Sequence, residues 1–129
     1  VHGQRTAGQH ADPALVQHAI SSEEAGHAAA SRLLEGGTPF DAVFAASDMI
    51  AIGALRALGE RGLRVPHDVG LAGYDDIPMA AMTSPGLTTM QQDTKTAGTL
   101  LVETLIAMIR GEPAQTRCLP VRLVVRESA

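Results

Sequence analysis

Apolar positions change their period several times along the chain, and each change marks a predicted element. Ala25, Ala29, Ala30 and Leu33 recur at helical spacing after Ser21-Ser22-Glu23-Glu24 and stop at Gly36-Gly37. Ser21 and Glu24 stand at capping-box spacing, which predicts the helix start. Ala42-Val43-Phe44-Ala45-Ala46 is a continuous apolar run, the pattern of a strand buried on both faces. Ser47-Asp48 closes it, and Ala51, Ala54, Leu55 and Leu58 return to helical spacing until Gly59 and Gly62. Val69-Gly70-Leu71-Ala72-Gly73 predicts a second apolar strand. Tyr74-Asp75-Asp76-Ile77-Pro78 then leads into one or two helical turns through Met82, broken by Ser84-Pro85-Gly86. Leu87-Thr88-Thr89-Met90-Gln91 favours a strand. Ala97, Leu101, Leu105 and Met108 form one stripe of a long amphipathic helix ended by Gly111 and Pro113. Val121, Leu123 and Val125 alternate with Arg122 and Arg126, as in an edge strand with one wet face. Nearer the start, Asp12-Pro13 reads as a turn and Ala14-Leu15-Val16 as a short strand.

Strands alternating with helices at short spacing predict right-handed βαβ units and an α/β chain, its mainly parallel sheet flanked by helices. At 129 residues there is room for one hydrophobic core and not for two. Hydrophobic residues at 45% and charged residues at 19% are a globular composition and argue against disorder. The formal net charge of −4 argues against nucleic-acid binding by electrostatics alone. Cys118 is the single cysteine, which excludes an internal disulfide and a multi-cysteine metal site, and it reads as a buried or edge thiol. No apolar run reaches the ~20 residues of a membrane span, so the chain reads as soluble, with no membrane partner. Its opening, Val1-His2-Gly3-Gln4-Arg5, lacks signal-peptide character and reads as a truncated start.

In open α/β sheets, ligands bind beyond the carboxyl ends of the strands. Three successive predicted strands end in polar side chains: Ser47-Asp48, Asp75-Asp76 and Gln92-Asp93. Carboxylates and amides on rigid strand ends suit vicinal hydroxyls, because they accept or donate in fixed directions. A plainer role stands beside this one: Asp48 and Asp76 as caps of the helices that follow them. Aromatic residues are 2% of the chain (Phe40, Phe44 and Tyr74), which leaves little wall on which to stack a ring. His2, His10, His18, His27 and His67 lack metal-ligand spacing and read as surface residues. Met79, Met82 and Met90 read as packing or interface material. No nucleophile elbow, P-loop or dinucleotide fingerprint occurs, so neither an enzyme nor a cofactor is expected.

The segment from Phe40 to Leu55, with its Ala45-Ala46-Ser47-Asp48-Met49-Ile50-Ala51, resembles the strand-to-helix segment of the LacI/GalR family of bacterial transcriptional regulators. Gly62-Leu63-Arg64-Val65-Pro66-His67-Asp68-Val69 and Gly73-Tyr74-Asp75-Asp76-Ile77-Pro78 resemble its next two motifs. Pro85-Gly86-Leu87-Thr88-Thr89-Met90-Gln91-Gln92 and Leu123-Val124-Val125-Arg126 complete the series, in order and spacing, from about Asp12 to the end. The resemblance implies a periplasmic-binding-protein-like type I lobe, the C-terminal one of two, incomplete over residues 1–129. It implies an effector, a sugar or related polyol, held between lobes; operator DNA read by an N-terminal head absent from this chain; a homodimer; and a cytoplasmic setting.

By the same resemblance, Ser47, Asp48, Asp75 and Gln92 line the effector cleft. Ser21 occupies the place where many members carry a stacking aromatic, and Thr94 stands where another ring is common. The family's effector-binding arginine would fall before Val1. Ile52, Leu55, Met79 and Met82 are candidate dimer contacts, with filling of the lobe's own core as the alternative. Residues 94–110 are expected to form a crossover helix that packs on the other lobe, leaving Leu101, Leu105 and Met108 partly exposed here or fastened to a partner chain.

Two further readings remain at this point. A periplasmic sugar-binding protein shares the implied fold, although the Gly-Tyr-Asp-Asp-Ile-Pro and Leu-Val-Val-Arg motifs favour a regulator. Asp48, Asp75 and Asp76 at adjacent strand ends, with Lys95 nearby, are also a candidate Mg²⁺ site for phosphoryl transfer.

Overall fold

A computed structural model describes residues 12–129. His2, His10 and the opening segment lie outside the described residues. A 3-10 turn (Pro13–Leu15), capped by Asp12, stands where a short strand was expected: Pro13 presets the tight turn and the Asp12 side chain accepts from the Ala14 N–H. Helix α1 (Glu23–Glu35) leads to strand β1 (Ala42–Phe44), helix α2 (Asp48–Glu60) and strand β2 (Gly70–Asp75). A second 3-10 turn (Pro78–Ala81) precedes strand β3 (Thr88–Gln92), helix α3 (Thr94–Ile109) and strand β4 (Val121–Val124).

The four strands lie in the order β1-β2-β3-β4. The first three run parallel and β4 returns antiparallel against β3, with Gln92 opposite Val121. All three parallel strands therefore end at one edge of the sheet, where β4 begins. The buried core is small-residue rich: Ala30, Ala45, Ala51, Ala54, Ala57 and Ala80 around Leu71 and Leu87. Such side chains let elements approach closely. At the α1–α2 crossing a Cβ on Gly26 would overlap the Ile50 backbone, and one on Gly53 would overlap the carbonyl of Glu23.

Several expectations change in three dimensions. Ser22, not Ser21, caps α1, its Oγ accepting from the Ala25 N–H at 3.2 Å, because Ser21 is drawn across to Ser47. β1 is buried on one face only: Val43 packs toward the core while Phe44 is 66% exposed, with nothing among the described residues covering it. β4 is exposed along its apolar row as well, at Val121 and Leu123. Cys118, read as a buried or edge thiol, is exposed on the connection before β4. His27, expected at the surface, is half-buried and its Nε2 meets Glu60 Oε2 at 2.6 Å, tying α1 to α2.

Helix α3 has no buried residue. Leu101 is 71% exposed, and Leu105 and Met108 are exposed as well. Among the described residues nothing covers this apolar stripe.

Candidate functional site

The polar edge is built by short-range capping and by long-range pairing. Ser47 is the N-cap of α2; its Oγ accepts weakly from the Ile50 N–H and lies 2.7 Å from Ser21 Oγ. Two candidate effector residues thus meet through their hydroxyls, Ser21 exposed and Ser47 buried beneath it.

Asp48 does not cap its helix. It occupies the first position of α2, where the helix N-terminus favours a negative charge, and it is 0% exposed. One carboxylate oxygen accepts from Thr89 Oγ1 at 2.6 Å and the other from the Ile77 N–H at 2.8 Å. Gly73 makes room for it, since a Cβ there would overlap Asp48 Oδ1. Asp48 joins the ends of α2, β2 and β3 from beneath the edge.

Asp75 and Gln92 also meet: the Gln92 amide donates to Asp75 Oδ1 at 2.7 Å, across the ends of β2 and β3. Gln92 is exposed and Asp75 half-buried, so this pair faces outward. Asp93 caps α3, accepting from the Thr96 N–H at 3.0 Å, and the Thr96 bonds hold its carboxyl below the usual range. Beside Gln92 a cavity of about 410 Å³ opens between the start of α3 and the start of β4, with Thr94, Lys95, Val121 and Arg122 on its walls. No aromatic side chain lines it.

Asp76, expected as a possible cap, is not one either. The residue before the 3-10 turn is Ile77, without a side-chain cap. The Asp76 carboxylate instead accepts from Arg126 Nη2 and from the Gln91 amide, each at 2.7 Å. The Mg²⁺ reading is thereby corrected: both Asp48 oxygens are taken by protein donors and Asp76 is neutralised by an arginine. Among the described residues, no group of three acidic, histidine or cysteine side chains is close enough to hold a metal. Gln91, Thr89 and Arg126 were legible only as strand residues. A signal for Arg126 existed in the charged residue closing the last strand, but its partner lies 50 positions away.

Of the dimer candidates, Leu55 packs partly against the core and Ile52 is half-buried, while Met79 and Met82 protrude from the 3-10 turn, Met82 being 79% exposed. No helix among the described residues is long and apolar enough to cross a membrane.

Known proteins with this architecture place it in context. The periplasmic binding protein-like domain matches residues 2–129. The HTH-type transcriptional regulator MalR of Streptomyces coelicolor is 47% identical over 100 residues, covering 78% of this chain and 28% of the relative. The HTH-type transcriptional regulator CelR of Thermobifida fusca is 40% identical over 119 residues, covering 92% and 34%. The solved structure of a transcriptional regulator CelR–cellobiose complex superposes with a TM-score of 0.91 at 37% identity, over 99% of this chain and 40% of that one. The chain thus spans about a third of the length of the curated relatives it matches. Fold, polar edge and likeness agree, and the chain belongs to the periplasmic binding protein-like family, in the form found in the effector-binding cores of LacI-type regulators.

Proposed function

We propose that this chain senses a sugar-like effector within a LacI-type transcriptional regulator of the cytoplasm and performs no catalytic step. The observation that carries this reading is the pairing of Ser21 with Ser47 and of Asp75 with Gln92 on one sheet edge. Two hydroxyls, a carboxylate and an amide are a donor and acceptor set matched to vicinal hydroxyls. The relative described in complex with cellobiose shares the fold over nearly the whole chain, which supports a saccharide as the ligand class.

In this reading Asp75 and Gln92 touch the effector, Ser21 and Ser47 add hydroxyl contacts, and Asp48 acts from beneath by fixing the strand ends. With serine at position 21, the effector is gripped by hydrogen bonds more than by stacking. The bare face of α3 packs on the companion lobe, and effector binding between lobes shifts the population competent to hold operator DNA by its differential affinity for the two closures. DNA is contacted by a helix-turn-helix part of the regulator, not by this acidic chain. Subunits pair in a homodimer through the surface that carries Met79 and Met82, with Ile52 and Leu55 behind it.

The test is calorimetric titration of the full-length protein with cellobiose, lactose and ribose. One of these sugars should bind, and Asp75→Ala should abolish that binding without lowering the melting temperature by more than a few degrees. Failure of all three, or binding that survives loss of both Asp75 and Gln92, overturns the proposal.

A further inference from the structure

Asp75 and Asp76 both adopt positive φ, 115° and 55°, although neither is glycine. Two consecutive residues with side chains at positive φ are uncommon even for aspartate, and their arrangement rests on the contacts around them. The contacts here are unequal. Among the described residues, the Asp75 carboxylate has one hydrogen-bond partner, the exposed Gln92 amide. Asp76 has two side-chain donors, Arg126 and Gln91, and its own N–H leans on Thr89 Oγ1. The Arg126–Asp76 pair is 20% and 11% exposed at its side chains, so water screens it little.

Arg126 is itself held rigidly. Its Nη1 donates to the Leu87 carbonyl at 2.7 Å, and its backbone N–H donates to Thr88 Oγ1 at 2.9 Å. Two residues on, Ser128 is fully buried and bonds to Leu71, Gly86 and Thr88. The end of the chain thus anchors a guanidinium against the kink at the end of β2.

We propose that Arg126 and Asp76 form a positioning clamp that holds the left-handed Asp75–Asp76 kink and so sets where the Asp75 carboxylate meets the effector. This rests on the reading of Asp75 as an effector contact. Neither clamp residue touches the ligand; they act through the backbone between Asp76 and Asp75.

The test compares the wild-type full chain with Arg126→Gln, Arg126→Lys, Asp76→Asn and the Arg126→Gln/Asp76→Asn double variant. Three quantities are read: melting temperature, the one-bond Cα–Hα couplings of Asp75 and Asp76 by NMR, which separate left-handed from extended backbone, and the dissociation constant for whichever of cellobiose, lactose and ribose the wild type binds. Arg126→Gln should move both couplings toward extended values, leave the Gly26 and Gly53 resonances of the distant α1–α2 crossing in place, and weaken binding of that sugar roughly tenfold or more. Arg126→Lys should restore part of that loss, and Asp76→Asn should add little once Arg126 is gone. Should Arg126→Gln fail to fold, Asp76→Ala, which removes the carboxylate and leaves a side chain that disfavours the left-handed region, carries the same comparison. A variant that melts lower yet keeps wild-type couplings and wild-type affinity overturns the clamp and leaves the pair a structural bond. If the wild-type protein binds no sugar, the effector reading is what fails, and the couplings alone decide the clamp.

Discussion

Thr89 and Asp48, 41 residues apart in the chain, share a 2.6 Å hydrogen bond with neither side chain open to solvent. The bond crosses from the end of β3 to the start of α2, so one contact fastens two of the strand ends that carry the polar edge. Thr89→Val keeps the shape and removes the donor, leaving a buried carboxylate oxygen without its partner. The expected loss is about 1–3 kcal/mol of unfolding free energy, measured by urea titration. An unfolding midpoint equal to wild type would show that the bond contributes nothing net.

The α1–α2 crossing is a second point of sensitivity. At Gly53 an added methyl group meets the Glu23 carbonyl, which is backbone and cannot swing aside. Gly53→Ala should cost about 1–3 kcal/mol by overpacking despite alanine's better helix propensity. Gly59→Ala, on the same helix with open space around it, is the control and should be neutral or stabilising. Equal melting temperatures for the two variants would contradict the close crossing.

Asp68 gives the clearest pH signature. Hydrogen bonds from the Arg64 side chain, at 2.9 Å to each carboxylate oxygen, hold its carboxyl far below the usual range, and the Arg64 N–H adds a third at 2.8 Å. A carboxyl depressed in the folded state contributes stability that is full above its unfolded pKa and is lost as pH falls through the folded one. Asp68→Asn should therefore melt below wild type at neutral pH, and the gap should narrow as pH drops below about 4. A gap that stays constant down to pH 2 would contradict this assignment.

The exposed stripe of α3 makes the opposite kind of prediction. Because Leu101 and Leu105 are both mostly exposed within residues 12–129, replacing both by Gln should change the stability of this unit by no more than about 0.5 kcal/mol each. Binding of a hydrophobic dye should fall. A large drop in melting temperature would mean that the stripe is already covered in solution.

Much of the architecture was legible in the chain, because helix and strand periods, glycine stops and polar strand ends are properties of neighbours. The order of helices and strands between Glu23 and Val124 follows the apolar spacing, with the first 3-10 turn misread as a strand because three residues carry no period. Capping was legible in kind and misplaced by one residue, since Ser21 and Ser22 are equally good caps until Ser47 claims one of them. The polar strand ends located the edge on which Ser47, Asp75 and Gln92 gather, and the resemblance singled out these three among them.

What only tertiary structure decided is the direction in which each polar group points. Asp48 and Asp75 look alike as acids at strand ends, yet one is sealed beneath the edge by Thr89 and Ile77 while the other stays half-open beside Gln92. Asp76 reads by pattern as a helix cap or metal ligand and Arg126 as a wet strand position, yet in space they form a largely shielded ion pair. The reason is physical. Local periodicity records which face of an element is apolar, whereas the partner of a buried charge is set by which distant backbone arrives beside it, and that is known only once the sheet has closed.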